Sequence, residues 1–147
     1  MSRRTSRGLA VALCALAAFA VACSGPTGTG ATDERMAGTW QYHAATTATS
    51  TVIDGVLQLN VTSSGAISGT LDAIESDASG RRTPVTGIVA GSVIATGSAD
   101  FEMALAGGRV REHIVTLRGD SLLGDWIERQ GQAASVTGRF AAPRKAP

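Results

Sequence analysis

One short frame recurs four times along the chain: apolar, any residue, Gly, any residue, apolar. It stands at Ile67, Gly69 and Leu71, at Val85, Gly87 and Val89, at Leu122, Gly124 and Trp126, and at Val136, Gly138 and Phe140. Side chains alternate faces along a strand, so each Gly shares a face with both of its apolar flanks. A Gly in the middle of an inward row marks a tightly curved sheet, where a side chain would crowd the interior. No window beyond the first 22 residues shows helical apolar spacing, whereas Gly, Thr and Val are frequent.

The pattern predicts eight strands, at 38–43, 56–62, 66–75, 83–95, 100–105, 109–118, 121–129 and 134–142. Short Gly-containing turns between them indicate an up-and-down meander, and eight strands close readily into a barrel. The expected fold class is therefore all-β, an eight-stranded antiparallel up-and-down β-barrel. The turns fix the register. Gly119-Asp120 suits a two-residue hairpin with Gly first, which sets Leu117 against Leu122, Val115 against Gly124, His113 against Trp126 and Arg111 against Glu128. Ser63-Ser64-Gly65 works as a three-residue loop and pairs Val61 with Ile67 and Leu57 with Leu71; a two-residue loop would scramble the faces. A loop at Gly131-Gln132-Ala133 sets Trp126 against Gly138 and Phe140 against Gly124, so that each glycine gap is covered by a neighbouring ring. At Ala106-Gly107-Gly108 two registers stay open, one turning Arg111, His113 and Val115 inward, the other Val110, Glu112 and Ile114.

The first 22 residues read as an export signal. Arg3, Arg4 and Arg7 precede an unbroken apolar run from Leu9 to Val21 that is short for a bilayer span. Ala20-Val21-Ala22-Cys23 resembles the bacterial lipobox, with Ala20 where Leu is usual. The resemblance implies lipidation of Cys23, with palmitate or related acyl chains; the alternative is plain cleavage after Ala22. Each buried CH₂ contributes only about 0.8 kcal/mol, so firm anchoring needs the two or three chains such a cysteine receives. Beyond Cys14 in the signal, Cys23 is the one cysteine left, so the domain has no internal disulfide. The expected organisation is a signal peptide over 1–22, lipidated Cys23 with a Gly/Ser/Thr-rich flexible linker over 23–35, the barrel over 36–143, and a tail over 144–147. The expected location is the cell envelope: the outer membrane where one exists, otherwise the outer face of the cell membrane.

Charge narrows the partners. Without the three signal arginines, ten basic residues face twelve acidic ones, which is no nucleic-acid footprint. The candidate chemistry is sparse. There is no G-x-S-x-G, H-E-x-x-H, phosphate loop or C-x-x-C, so neither an enzyme nor a cofactor is expected. His43 and His113 are the only histidines, and no cluster has metal-ligand spacing. The favoured register gathers Arg111, His113, Trp126 and Glu128 on the inner face toward one mouth, with Arg111 and Glu128 expected to pair, since inward charges are costly alone. Such a group either orients a small apolar ligand entering the barrel or closes a solvated barrel end as an ion pair.

Gly38-Thr39-Trp40 resembles the G-x-W signature of lipocalins and the G-T-W start of avidins, and the segment from Gly65 to Leu71 is similar to an avidin hairpin. The resemblance covers three strands and implies a calycin-type barrel. Trp40 joins Arg111, His113, Trp126 and Glu128 as a candidate ligand or mouth residue, although the favoured reading is that it plugs one end of the barrel. Biotin binding does not carry over: Leu71, Ala73 and Tyr42 stand where the avidin pattern has its polar ligand-reading residues. Two functions compete: an envelope lipoprotein acting by surface contacts with a protein partner, and a carrier of a small apolar molecule.

Overall fold

The computed structural model describes residues 31–129 and 136–146. The expected signal peptide, Cys23 and the expected loop at 131–133 lie outside them. A single 3₁₀ turn, Glu34–Met36, leads into eight strands: β1 Gly38–Thr46, β2 Val52–Val61, β3 Ala66–Ser76, β4 Arg82–Ala95, β5 Ser98–Leu105, β6 Arg109–Arg118, β7 Ser121–Arg129 and β8 Val136–Pro143. Each pairs antiparallel with the next, and β8 returns to β1, closing the barrel.

The registers expected from the turns are those found. Val61 faces Ile67, Arg118 faces Ser121, Gly124 faces Phe140 and Trp126 faces Gly138. Gly65 and Gly119 take φ of 82° and 56°, the left-handed backbone their turns require. The open choice at 106–108 resolves as a three-residue loop, with Leu105 opposite Arg109, so Arg111, His113 and Val115 turn inward.

Several boundaries differ from expectation, and β2 begins at Val52 instead of 56 because Val52, Ile53, Asp54 and Gly55 pair with Ala45, Ala44, His43 and Tyr42 of β1. β1 continues three residues past His43, because Ala44, Ala45 and Thr46 pair with β8, the two alanines also with β2, and so carry the closure. Small residues signal this weakly, since they have little side chain to alternate. Residues 33–35, assigned to a flexible linker on composition, are instead ordered. Asp33 is 5% exposed; it accepts hydrogen bonds from the Gly97 amide at 2.8 Å and from the Arg35 side chain at 2.7 and 2.8 Å.

This anchorage plugs one end of the barrel. Met36 is buried beneath the turn, and its carbonyl accepts from Trp40 Nε1 at 3.1 Å. Arg144, expected in a tail, lies over the Trp40 ring at 4.1 Å and donates to the carbonyls of Ala37 and Arg35. The strand ends at 46, 76, 105 and 129 gather at the opposite end, the mouth. Between the two, Leu57, Leu71, Met103, Leu122 and Phe140 fill the interior with the other inward residues.

Candidate functional site

Strand parity and register place the mouth residues. Arg111 stands directly opposite Glu128, and His113 opposite Trp126, all on the inner face of β6 and β7. Each of the four is at most 2% exposed. Arg111 Nη2 and Nε both lie 2.6 Å from Glu128 Oε2, the salt bridge expected from sequence. Two residues that the sequence reading missed complete the group. Arg109 Nε lies 2.7 Å from Glu128 Oε1, and its Nη2 lies 2.7 Å from Glu75 Oε2. Glu75 is also 3.4 Å from Arg111 Nη2. Parity along β3 and β6 already places Glu75 and Arg109 on the inward rows. What hid them is that Glu75 comes from a strand not adjacent to β6 or β7.

The result is a neutral quartet of two guanidinium groups and two carboxylates. Pairing with Glu128 and Glu75 holds Arg109 protonated. Arg111 also lies 4.4 Å from the Trp126 ring centre, so the cation stacks on an aromatic floor. Below it is a ring cluster. Phe101 stacks on His113 at 4.8 Å, and Tyr42 stacks on Phe140 at 5.7 Å. The Tyr42 hydroxyl and His113 Nε2 are hydrogen-bonded at 3.0 Å. Burial, together with the Arg111 charge, pulls His113 down to about 3, so the ring is neutral near pH 7. Burial raises the Tyr42 phenol to about 12. Nη1 of Arg111 and Nδ1 of His113 are buried without a hydrogen bond.

A cavity of about 150 Å³ adjoins the quartet, lined by Glu75, Arg109, Arg111, Trp126 and Glu128 and by threonines of β1 and the loop that follows it. Trp40, the fifth candidate, stands apart from the mouth and takes the favoured role of a plug. It is buried at the plugged end under Arg144, where the turn at 34–36 and the 144 backbone bridge hold it. Among the described residues, no three of His, Cys, Asp and Glu converge as metal ligands. The neutral His113 and the raised Tyr42 form a fixed hydrogen-bonded pair. The mouth offers charge and hydrogen bonding to a small molecule, but its four charges are already paired with one another.

The chain matches no protein-family model and no curated protein sequence. It is similar in structure to EF1p2_mFAP2b bound to DFHBI, at a TM-score of 0.63 and 15% identity, covering 76% of this chain and 94% of that one. It is also similar to a fluorescence-activating β-barrel designed de novo, at a TM-score of 0.58 and 19% identity, covering 76% and 94%. A redesigned barrel, mFAP1, bound to DFHBI, gives 0.60 and 15%, covering 75% and 95%. These likenesses establish the small eight-stranded barrel.

Proposed function

We propose that this chain is an exported lipoprotein of the bacterial envelope, acylated at Cys23, that works through the outer surface of its barrel and catalyses no reaction. The observation that carries the reading is the filled interior. Trp40, Trp126, Arg111, Tyr42 and Met36 are each under 2% exposed, and the cavity at the mouth is about 150 Å³. Pockets for drug-sized ligands run to about 300–1,000 Å³. The signal pattern ending at Cys23 supports export and anchoring. Gly38-Thr39-Trp40 supports a distant calycin-like affiliation.

The plugged end adds an orientation. Ala31 packs against the core beside Gly65, so the chain enters the barrel at that end. Seven residues separate Cys23 from Ala31, and the eight Cα steps reach at most about 29 Å when extended. An acylated Cys23 keeps the plugged end near the lipid.

Two measurements test the reading. Cells expressing the full chain are fed an alkyne-bearing fatty acid; labelling is expected in wild type and lost in Cys23→Ala. The purified protein is then titrated with an apolar fluorescent probe. Saturable binding quenched by Trp126 would overturn the surface reading.

A second reading is a small-ligand carrier. It is supported by the cavity against Arg111 and Glu128, and by the DFHBI bound to barrels of the same fold. Arg111→Met should then change ligand affinity while the barrel stays folded.

A further inference from the structure

The outer face of β4 to β7 departs from the polar exterior expected of a barrel in water. Ile88 is 69% exposed, Ile114 68%, Ile94 58% and Ile127 38%, and all four stand on these strands. Single exposed apolar residues are ordinary, but Ile114 and Ile127 stand diagonally on the adjoining β6 and β7, with Ile88 and Ile94 beyond β5 on β4, so large apolar side chains recur across this face. The register places carboxylates among them. Ala90, Glu102, Glu112 and Ile127 form one row across the four strands; Ser92, Asp100, Ile114 and Asp125 form the next. A groove of about 510 Å³ runs here, lined by Asp100, Glu102, Glu112 and Ile114 among others, and no lysine or arginine lines it.

Glu102 and Glu112 stand directly opposite one another on β5 and β6. Like charges in facing positions destabilise a sheet, and a single cation between them would reverse the sign of that interaction. Glu112 keeps a 3.1 Å contact with the exposed Arg129, which approaches from the β7 side. The groove side, where Asp100 adds a third carboxylate, carries no such cation in its lining.

We propose that this face docks a segment of a partner protein that carries both cationic and apolar side chains. A lysine or arginine sits between Glu102 and Glu112, and an apolar side chain packs on Ile114. The proposal rests on the surface-contact reading above and assigns it a place and a partner chemistry. Anionic lipid is disfavoured as occupant because the carboxylates repel it, and a second copy of the same face is disfavoured for the same reason.

The test uses the full chain in detergent and a short fluorescent peptide of lysine and leucine, with glutamate–leucine and lysine–serine peptides as counterparts. The lysine–leucine peptide is expected to bind saturably, and both counterparts at least about tenfold more weakly. Glu102→Lys and Ile114→Ser should each weaken binding by about tenfold, while Asp54→Lys on β2, an equal charge change on the far side, leaves it unaltered. Both altered side chains are exposed, and thermal melts check that the variants stay folded. Equal binding by all three peptides, or weakening by Asp54→Lys in place of Glu102→Lys, overturns the assignment of this face and leaves the surface-contact reading standing. Self-association by sedimentation that Ile114→Ser abolishes replaces the cationic partner with a second copy. Saturable entry of the apolar probe into the barrel, without peptide binding, sinks the surface-contact reading itself.

Discussion

The Trp126 indole occupies the space that a side chain at Gly138 would need. The two residues face each other across β7 and β8, and a Cβ built on Gly138 overlaps both the ring and the Ala45 carbonyl of β1. The glycine thus lets a ring lie over the backbone at the point where the last strand meets the first. Gly124 has the same relation to Phe140, with the Ile114 carbonyl as the backbone obstacle.

Gly138→Ala therefore costs stability although it adds only a methyl group. Overpacking against backbone typically costs about 1–3 kcal/mol, and here a carbonyl cannot swing aside as a side-chain tip can. The urea midpoint should fall by a corresponding amount. Alanine at Gly107, where nothing lies within 4 Å of a built Cβ, should show only the smaller penalty of its φ of 82°.

The ion quartet is unequal in its dependencies. Glu128 binds both arginines, so Glu128→Gln leaves the buried Arg111 with Glu75, at 3.4 Å, as its one carboxylate partner in the quartet. Arg111→Met leaves Glu128 held by two hydrogen bonds from Arg109, at 2.7 and 2.9 Å. Stranding a buried charge costs about 3–5 kcal/mol. Glu128→Gln should approach that loss and Arg111→Met should fall well short of it. Chemical unfolding of the two single variants and the double Arg111→Met, Glu128→Gln checks the order, with the double less destabilised than the sum.

Stability should depend on His113 between pH 6.5 and about 3. Its folded value is lowered to about 3, first by burial and then by Arg111, against an ordinary 6.5. In that window the unfolded chain binds a proton that the folded chain refuses. Stability from this group is therefore complete above pH 6.5 and declines as pH falls, by about 1.4 kcal/mol per pH unit within the window. Urea midpoints from pH 7 to 4 in wild type and His113→Gln isolate the slope. A wild-type slope no steeper than the variant's would show that the ring takes its charge in place.

The plug should be separable from the barrel. Asp33 ties the 3₁₀ turn to the Gly97 amide, and Arg144 clamps the same turn over Trp40. Arg144→Ala removes a cation–π contact and two hydrogen bonds, each of order 1 kcal/mol. Its expected signature is a red shift of Trp40 fluorescence below the melting transition, read in a Trp126→Phe background. A coincident loss of all signals would mean that plug and barrel form one cooperative unit.

The parts of this fold legible in the sequence are those where side-chain size is extreme. Gly124, Trp126, Gly138 and Phe140 alternate between nothing and a ring, so only one register fits, and the pairing follows from inspection. The turn glycines do the same for two more hairpins. What stays illegible is carried by residues without that contrast. Ala44 and Ala45 complete the closure with methyl groups. Asp33 belongs to a polar stretch whose composition reads as linker, and only the amide of Gly97, far along the chain, gives it a partner. Half of the ion quartet is legible because Arg111 and Glu128 are cross-strand neighbours; Glu75 reaches them through the lumen, which a pairwise register does not describe. Trp40 is legible as a plug but not its cap, since a register fixes facing residues and not that Arg144 lies over the ring.

Because β8 hydrogen-bonds to β1, the sheet has no first or last strand with bare amides and carbonyls. A visiting peptide cannot extend it by laying down a ninth, and neither can a neighbouring molecule crowded alongside. Whatever adheres to this domain must read tips of side chains, so its selectivity is spelled in residue identity and can be rewritten one codon at a time.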